Sequence, residues 1–183
     1  MIILGIDPGT LVTGYGLVDS RNGGVEIITC GAIVSDSRSV MPRRLKLMYE
    51  QITETIDRFR PDECAVETAF YGRNAQSALK LGQSRGIVLL ASAMHGIPAH
   101  EYSPREVKKA IVGSGNASKE QVQYMVKALL RMKELPRKYD VTDALAVAVC
   151  HIHRRLMNPG SHYRSWKAFI TDHPETVATT RRR

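Results

Sequence analysis

Three apolar segments near the start of the chain constrain its fold more than any other feature. Residues 2–6, 13–18 and 25–34 are rich in Val and Ile, and the turn sequences DPGT and RNGG separate them. Apolar runs of this length between turn residues are typical of β-strands joined by tight turns. The start of the chain therefore predicts a three-stranded antiparallel meander.

The rest of the chain alternates between helical and extended patterns. Short apolar runs at 64–66 and 97–102 predict two more strands. Apolar spacing and capping signals predict five helices. The first covers 42–59, and the second begins after an N-cap at Asn74 and ends just before Gly96. The third and fourth begin at capping boxes that start at Ser103 and Ser118, and the fifth covers 140–156. We expect an α/β fold in which a mixed five-stranded sheet carries helices on both faces.

The length and composition indicate one folded domain followed by a tail. Residues 1–157 contain all of the predicted elements, whereas Pro, Ser, Thr, His and Arg dominate residues 158–183. We interpret this last segment as a basic, partly disordered tail. No apolar stretch approaches the ~18 residues that a bilayer span needs, and no signal-peptide pattern opens the chain. We expect a cytoplasmic protein without a membrane partner.

The charge of the chain favours a polyanionic partner. The formal net charge is +8 and the pI is about 9.6. Clustered Lys and Arg attract phosphates and release condensed counterions, so nucleic acid or an anionic membrane would suit this charge. The three cysteines lie far apart and lack zinc-ligand spacing, which disfavours a disulfide framework or a structural zinc site.

Two acidic residues stand where apolar strands end. Asp7 follows the run ILGI, and Glu67 ends the run CAVE. In α/β sheets, sites form beyond strand ends, where a rigid frame holds the side chains. A single acid at such a place could simply cap a turn. Two acids at equivalent strand ends favour a functional site over two separate turn caps.

A second acidic pair begins the last predicted helix. Asp140 and Asp143 are three residues apart, a spacing that places both carboxylates on one helix face. The sequence ALAVAV that follows is apolar all round, as in a buried helix. Asp140 as N-cap and Asp143 at the third helical position would also suit the helix dipole.

The four acids together indicate a metal site. Converging carboxylates repel one another unless cations lie between them. Oxygen ligands without His or Cys favour Mg2+ or Mn2+ over zinc. Two such ions can bind a phosphodiester between them, activating water and stabilising the leaving oxygen. These residues thus suggest a metal-dependent nuclease.

Other site chemistries fit less well. The segment from Gly9 to Gly14 begins like a P-loop, but Tyr15 and Gly16 replace the required Lys and Ser or Thr. His151 and His153 are two residues apart on a helix and point to different sides, which favours core or surface histidines over a shared metal.

Four segments of the sequence resemble one known family. ILGIDPGT with TGYGL, VETAFYGRNAQSALKLGQSRG, VKKAIVGSGNASKEQVQYMV and DVTDALAVAVCH appear in the order and spacing of the RuvC Holliday-junction resolvases. The resemblance covers most of residues 1–157.

The resemblance implies both a fold and an activity. The family has a ribonuclease-H-like fold, acts as a homodimer, and resolves four-way DNA junctions by paired symmetric nicks in recombination and DNA repair. Its partners include the RuvA and RuvB branch-migration proteins. Its catalytic, metal-binding acids match Asp7, Glu67, Asp140 and Asp143, which would hold two Mg2+ ions per subunit, with Mn2+ as the alternative.

The resemblance also indicates DNA contacts. The family's junction-contacting aromatic residue matches Phe70, and its functional lysines match Lys108 and Lys119. An exposed Phe70 ring could stack on an unpaired base, or it could fold back onto the core. Arg73 and Lys80 flank the Glu67 loop and extend the expected DNA track, although single basic side chains are often only solvated surface.

Two rival functions and one structural question stay open at the level of sequence. A noncatalytic junction-binding protein would use the acids only as caps. GIDPGT also resembles the first phosphate loop of actin-like ATPases and kinases, but 183 residues are too few for their two domains. Gly82 and Gly86 share one face of a helix, which predicts close packing against another backbone, from the chain's own sheet or from a second copy.

Overall fold

The computed structural model describes residues 1–21, 24–68 and 75–157. The strands are β1 (Ile2–Asp7), β2 (Val12–Asp19), β3 (Glu26–Val34), β4 (Glu63–Glu67) and β5 (Ala99–Tyr102). The helices are α1 (Met41–Phe59), α2 (Ala75–Met94), α3 (Pro104–Val112), α4 (Lys119–Leu129) and α5 (Tyr139–Met157). All five predicted strands and all five predicted helices are present, so the predicted order of elements is confirmed.

The five strands form one mixed sheet in the order β3-β2-β1-β4-β5. β1, β2 and β3 pair antiparallel, which confirms the predicted meander. β4 then pairs parallel with β1, and β5 pairs parallel with β4. Because β1 and β4 run in the same direction, their carboxyl ends lie at the same edge of the sheet.

Helices cover both faces of the sheet, as predicted. On one face, Ile3 and Ala65 belong to a core cluster with buried residues of α3, α4 and α5. On the other face, Leu4, Ile6 and Val66 pack with α1 and α2. Since side chains alternate along a strand, Asp7 and Glu67 lie on the α5 face.

Glycines in β1 and β2 allow α5 to approach the sheet closely. A Cβ placed on Gly5 would overlap the backbone carbonyl of Ala144, and a Cβ on Gly14 would overlap that of Asp140. Within the meander, Gly14 pairs with Asp7. The start of α5 is therefore fixed directly beside the end of β1.

Two local predictions need correction: the predicted N-cap of α5 is wrong, and one of the two packing partners predicted for Gly82 and Gly86, the chain's own sheet, is excluded. α5 begins at Tyr139, so Asp140 lies within the first helical turn instead of at the N-cap. A Cβ on Gly82 or Gly86 would meet nothing within 4 Å, so neither glycine packs against the described part of its own sheet. The buried residues of α2, Ser84, Val88, Ala91 and Ser92, lie on a different side of that helix.

The predicted boundary after residue 157 falls at the end of the described part of the chain. Met1–His153 forms one compact unit. The predicted tail at 158–183 lies outside the described residues, as does Asn74, the predicted N-cap of α2. None of the described helices combines the length and the apolar character that a bilayer span requires.

Candidate active site

Asp7 and Glu67 end two adjacent parallel strands. Ile6 pairs with Val66, so the next residue of each strand is one of the two acids. Glu67 also pairs with Tyr102, the last residue of β5. Both acids are half-buried and project from the carboxyl edge of the sheet, which holds them on rigid elements.

The other two acids reach this edge from α5. Asp140 and Asp143 lie in its first turns, next to the glycine-lined surface of β1 and β2. The charges of Asp140 and Asp143 both raise the pKa of Asp7, and the charges of Asp7 and Asp143 raise the pKa of Glu67. The structure thus brings together the four acids that the sequence singled out.

Burial and mutual repulsion keep two of these acids from ionising readily. Burial is the main cause that raises the pKa of Asp7 to about 7, and the charges of Asp143 and Asp140 add to it. The pKa of Glu67 rises to about 8, first through burial and then through Asp7 and Asp143. Full ionisation at neutral pH therefore requires positive charge at this edge.

One source of positive charge is Lys119. Its Nζ lies 2.7 Å from Asp143 Oδ2 and 4.8 Å from the centre of the Tyr139 ring. Burial alone would lower the pKa of this ammonium group, but the hydrogen bond and charge of Asp143 outweigh burial and raise it. Lys119 is thus a fixed cation of the acidic cluster, which the sequence pattern alone did not show.

A capping box sets the position of Lys119. The Ser118 hydroxyl accepts a hydrogen bond from the backbone N–H of Gln121, and the Gln121 side chain accepts one from the backbone N–H of Ser118. This reciprocal pair fixes the first turn of α4, in which Lys119 is the first helical residue.

A cavity of about 170 Å³ opens beside the acids. Glu67 and Asp143 line it together with Lys108 of α3 and Lys119 of α4. Its remaining lining residues are Pro104, Val107, Val122 and Ala146. Carboxylates and ammonium groups thus share one cleft, which can accept a cation and a phosphate group side by side.

The other predicted DNA contacts are placed differently. Lys80 is exposed on α2 and does not line this cavity. Phe70 and Arg73 lie outside the described residues. Of the predicted basic residues that the structure describes, Lys108 and Lys119 line the cavity beside the acids.

The described residues contain one tighter group of potential metal ligands elsewhere. Ligand atoms of Glu63, His100 and His151 all lie within 4.8 Å of one another, and among the described residues this is the group compact enough to hold a metal ion without rearrangement. Like charges keep carboxylates apart, whereas histidines can hydrogen-bond a carboxylate. No local sequence pattern indicates this group, because its three members come from three separate elements.

Comparison with known proteins identifies relatives along most of the chain. The family model described as Crossover junction endodeoxyribonuclease RuvC matches residues 3–151. The protein of that name from Syntrophomonas wolfei is 48% identical over 153 residues, which are 84% of this chain and 89% of the relative. The one from Salinibacter ruber is 41% identical over 178 residues, covering 97% and 99% of the two chains.

A solved structure shows the same fold. The T. thermophilus RuvC in complex with Holliday junction substrate superposes with a TM-score of 0.82 at 34% identity, covering 86% of this chain and 96% of that one. The yeast mitochondrial Holliday junction resolvase Ydc2, at 15% identity, superposes with a TM-score of 0.62. The predicted ribonuclease-H-like fold is confirmed.

Proposed function

Because this chain belongs to the family of crossover junction endodeoxyribonucleases named RuvC, we propose that it resolves four-way DNA junctions by paired symmetric nicks. The observation that carries this proposal is the cleft in which mutually coupled carboxylates lie beside two lysines. Hydrolysis of a phosphodiester needs both a site for divalent cations and a means of binding phosphate.

The nucleases of this family depend on a divalent metal ion, and the acids of this chain fit that requirement. Carboxylates whose pKa values are raised by burial and by one another gain most from an added cation. We assign Asp7, Glu67, Asp140 and Asp143 as the ligands of two Mg2+ ions, since hard oxygen donors prefer Mg2+ or Mn2+. When bound, such ions supply an activated water and charge stabilisation for the leaving oxygen.

The chain's own basic residues bind and orient the DNA. Lys108 of α3 and Lys119 of α4 both line the cleft, where their ammonium groups can contact phosphates next to the scissile bond. We also assign DNA contacts to Lys80, which is exposed on α2, and to Phe70 and Arg73, which lie outside the described residues.

The exposed face of α2 supports a homodimer. Leu79, Leu90 and Met94 are 70%, 50% and 67% exposed, and the open glycines Gly82 and Gly86 lie among them. Small residues between exposed large ones allow a second helix to approach closely, so this face suits a second copy of the chain. Two copies would supply the two cleft sites that paired nicks require.

The wider biological setting follows from the family. We propose that the enzyme acts in the cytoplasm, in DNA recombination and repair, with RuvA and RuvB as partners. The noncatalytic and ATPase alternatives gain no support, because the chain matches nearly the whole length of resolvase relatives.

A synthetic four-way junction tests the proposed function directly. The full chain is incubated with labelled junction and Mg2+, with EDTA, or with ATP and Mg2+. We expect nicks paired symmetrically across the junction with Mg2+ alone and none with EDTA. Binding without cleavage would favour the noncatalytic module, and ATP turnover without nicking would favour the ATPase.

A further inference from the structure

Three polar side chains from three elements converge on one point inside the fold. Glu63 begins β4, His100 lies in β5 and His151 lies in the second half of α5. Nε2 of His151 is 2.8 Å from Glu63 Oε2, and Nε2 of His100 is 3.0 Å from the same oxygen. His151 is 1% exposed, so its imidazole is held in the core rather than at the surface.

We propose that Glu63, His100 and His151 form a second metal site, which takes Zn2+. Two histidines and one carboxylate are an established ligand set for zinc, with a fourth position left for water. Neighbouring ligand atoms of tetrahedral zinc lie about 3.3 Å apart when the bonds are about 2.0 to 2.1 Å long. The distances from Glu63 Oε2 to Nε2 of His151 and to Nε2 of His100 therefore need to grow by only a few tenths of an ångström.

A hydrogen bond behind His151 supports the ligand role. Tyr102 Oη lies 2.6 Å from His151 Nδ1. If Nδ1–H donates to this hydroxyl, Nε2 carries the lone pair that a metal requires. The same geometry also suits a metal-free network, in which the Tyr102 hydroxyl donates to Nδ1 and Nε2–H donates to Glu63. Zinc binding would convert the second arrangement into the first: the imidazole proton moves from Nε2 to Nδ1, with no net release of a proton, and the Tyr102 hydroxyl turns to accept a hydrogen bond from Nδ1–H.

Solvent reaches the cluster from one side. The His100 side chain is 41% exposed, whereas Glu63 is 10% exposed. An ion can therefore enter past His100 and keep a water ligand there. The centre of the buried His151 ring lies 4.7 Å from the centre of the His100 ring, so the two imidazoles lie side by side next to Glu63 Oε2.

The cluster is separate from the four acids. Glu63 and Glu67 are the first and last residues of β4, about 13 Å apart at strand spacing. His151 follows Asp143 by about 12 Å along α5. A zinc ion here would link β4, β5 and α5, and two of these elements carry proposed catalytic acids. Its expected role is to stabilise the frame that holds them.

Zinc titration of the full chain tests the proposal. Isothermal titration calorimetry and thermal unfolding are performed in excess Mg2+, which occupies the carboxylate cluster. We expect one Zn2+ per chain and a raised melting temperature. His100→Gln should weaken binding at least 10-fold, because it removes one ligand at an exposed position where folding is preserved. Tyr102→Phe should weaken it about 10-fold by removing the partner of His151.

Matched variants identify where the ion binds. His95→Gln, at a half-buried histidine directly after α2, and the tail variant His162→Gln/His173→Gln should retain wild-type affinity, and so should Asp7→Asn. Co2+ provides a second readout, since wild-type protein should show visible d–d bands that His100→Gln lacks. Absence of zinc binding, or binding that His100→Gln leaves unchanged, would overturn the proposal in favour of the hydrogen-bonded network.

Discussion

Lys119 holds its ammonium group 2.7 Å from the carboxylate of Asp143, at the cleft where strand and helix acids meet. α4 contributes the lysine and α5 the acid, so the contact links two helices across the cleft. The lysine also opposes the repulsion that raises the pKa values of Asp7 and Glu67. A basic residue expected on a DNA track is therefore part of the acidic cluster as well.

Replacement of Lys119 should weaken junction binding. Lys119→Ala removes one ammonium group from the cleft, so affinity should fall and the slope of log affinity against log salt should decrease by about one. Binding to a four-way junction in Ca2+ is measured by fluorescence anisotropy at several salt concentrations. Lys133→Ala, at an exposed position beyond α4, is the control. An unchanged slope for Lys119→Ala would exclude a phosphate contact.

Without metal, the stability of the fold should decrease as pH rises from about 4 to 8. Asp7 and Glu67 have raised pKa values in the folded state, so the folded chain binds more protons than the unfolded chain in this range. Protonation therefore stabilises the fold below the unfolded pKa, and this contribution is lost as pH passes about 7 to 8. Urea unfolding in EDTA measures the trend.

Mg2+ should reverse this loss, with a larger increase in melting temperature at pH 8 than at pH 6. The variant Asp7→Asn should show a flatter pH profile in EDTA, because it lacks one of the two titrating groups. A metal-free protein that becomes more stable from pH 6 to pH 8 would contradict the raised pKa values that burial and mutual repulsion give Asp7 and Glu67.

The close approach of α5 to the sheet should depend on Gly14. Gly14→Ala places a methyl group against the Asp140 carbonyl, so we expect a loss of roughly 1–3 kcal/mol in the free energy of unfolding and a slower cleavage rate. Urea unfolding and junction cleavage are measured together. Gly24→Ala, where a Cβ meets nothing within 4 Å, should be nearly neutral. Equal stability of the two variants would refute this packing.

The exposed face of α2 should form the dimer interface. Leu90→Glu introduces a charge among exposed apolar side chains, so sedimentation velocity should show a monomer where the wild type sediments as a dimer. Val40→Glu alters another exposed apolar residue, 61% exposed, and should leave the dimer intact. Dimeric Leu90→Glu would place the interface elsewhere.

The strand ends that carry Asp7 and Glu67 were predictable from local sequence, because each acid ends an apolar run. Their adjacency was not, because it depends on the parallel pairing of β1 with β4, which no local pattern records. The role of Gly14 was missed for a similar reason. Glycines near a turn suggest hairpin geometry, whereas the contact of Gly14 with α5 joins residues far apart in sequence.

Long-range contacts also explain why the histidine cluster was missed. The sequence correctly suggested a core or surface position for His151, and the structure places it in the core. From sequence, only a metal shared by His151 and its neighbour His153 was considered. The residues that approach His151 are instead Glu63 and His100, which come from two strands and not from its own helix.

Asp7→Asn tests the central claim most directly. The substitution removes one ligating charge at the end of β1 and barely changes shape, so the protein should still fold and dimerise. In gel-shift and cleavage assays with a four-way junction, the account predicts near wild-type binding and no nicks in Mg2+. Junction cleavage by Asp7→Asn at the wild-type rate would contradict the assignment of the four acids as the metal-binding catalytic site.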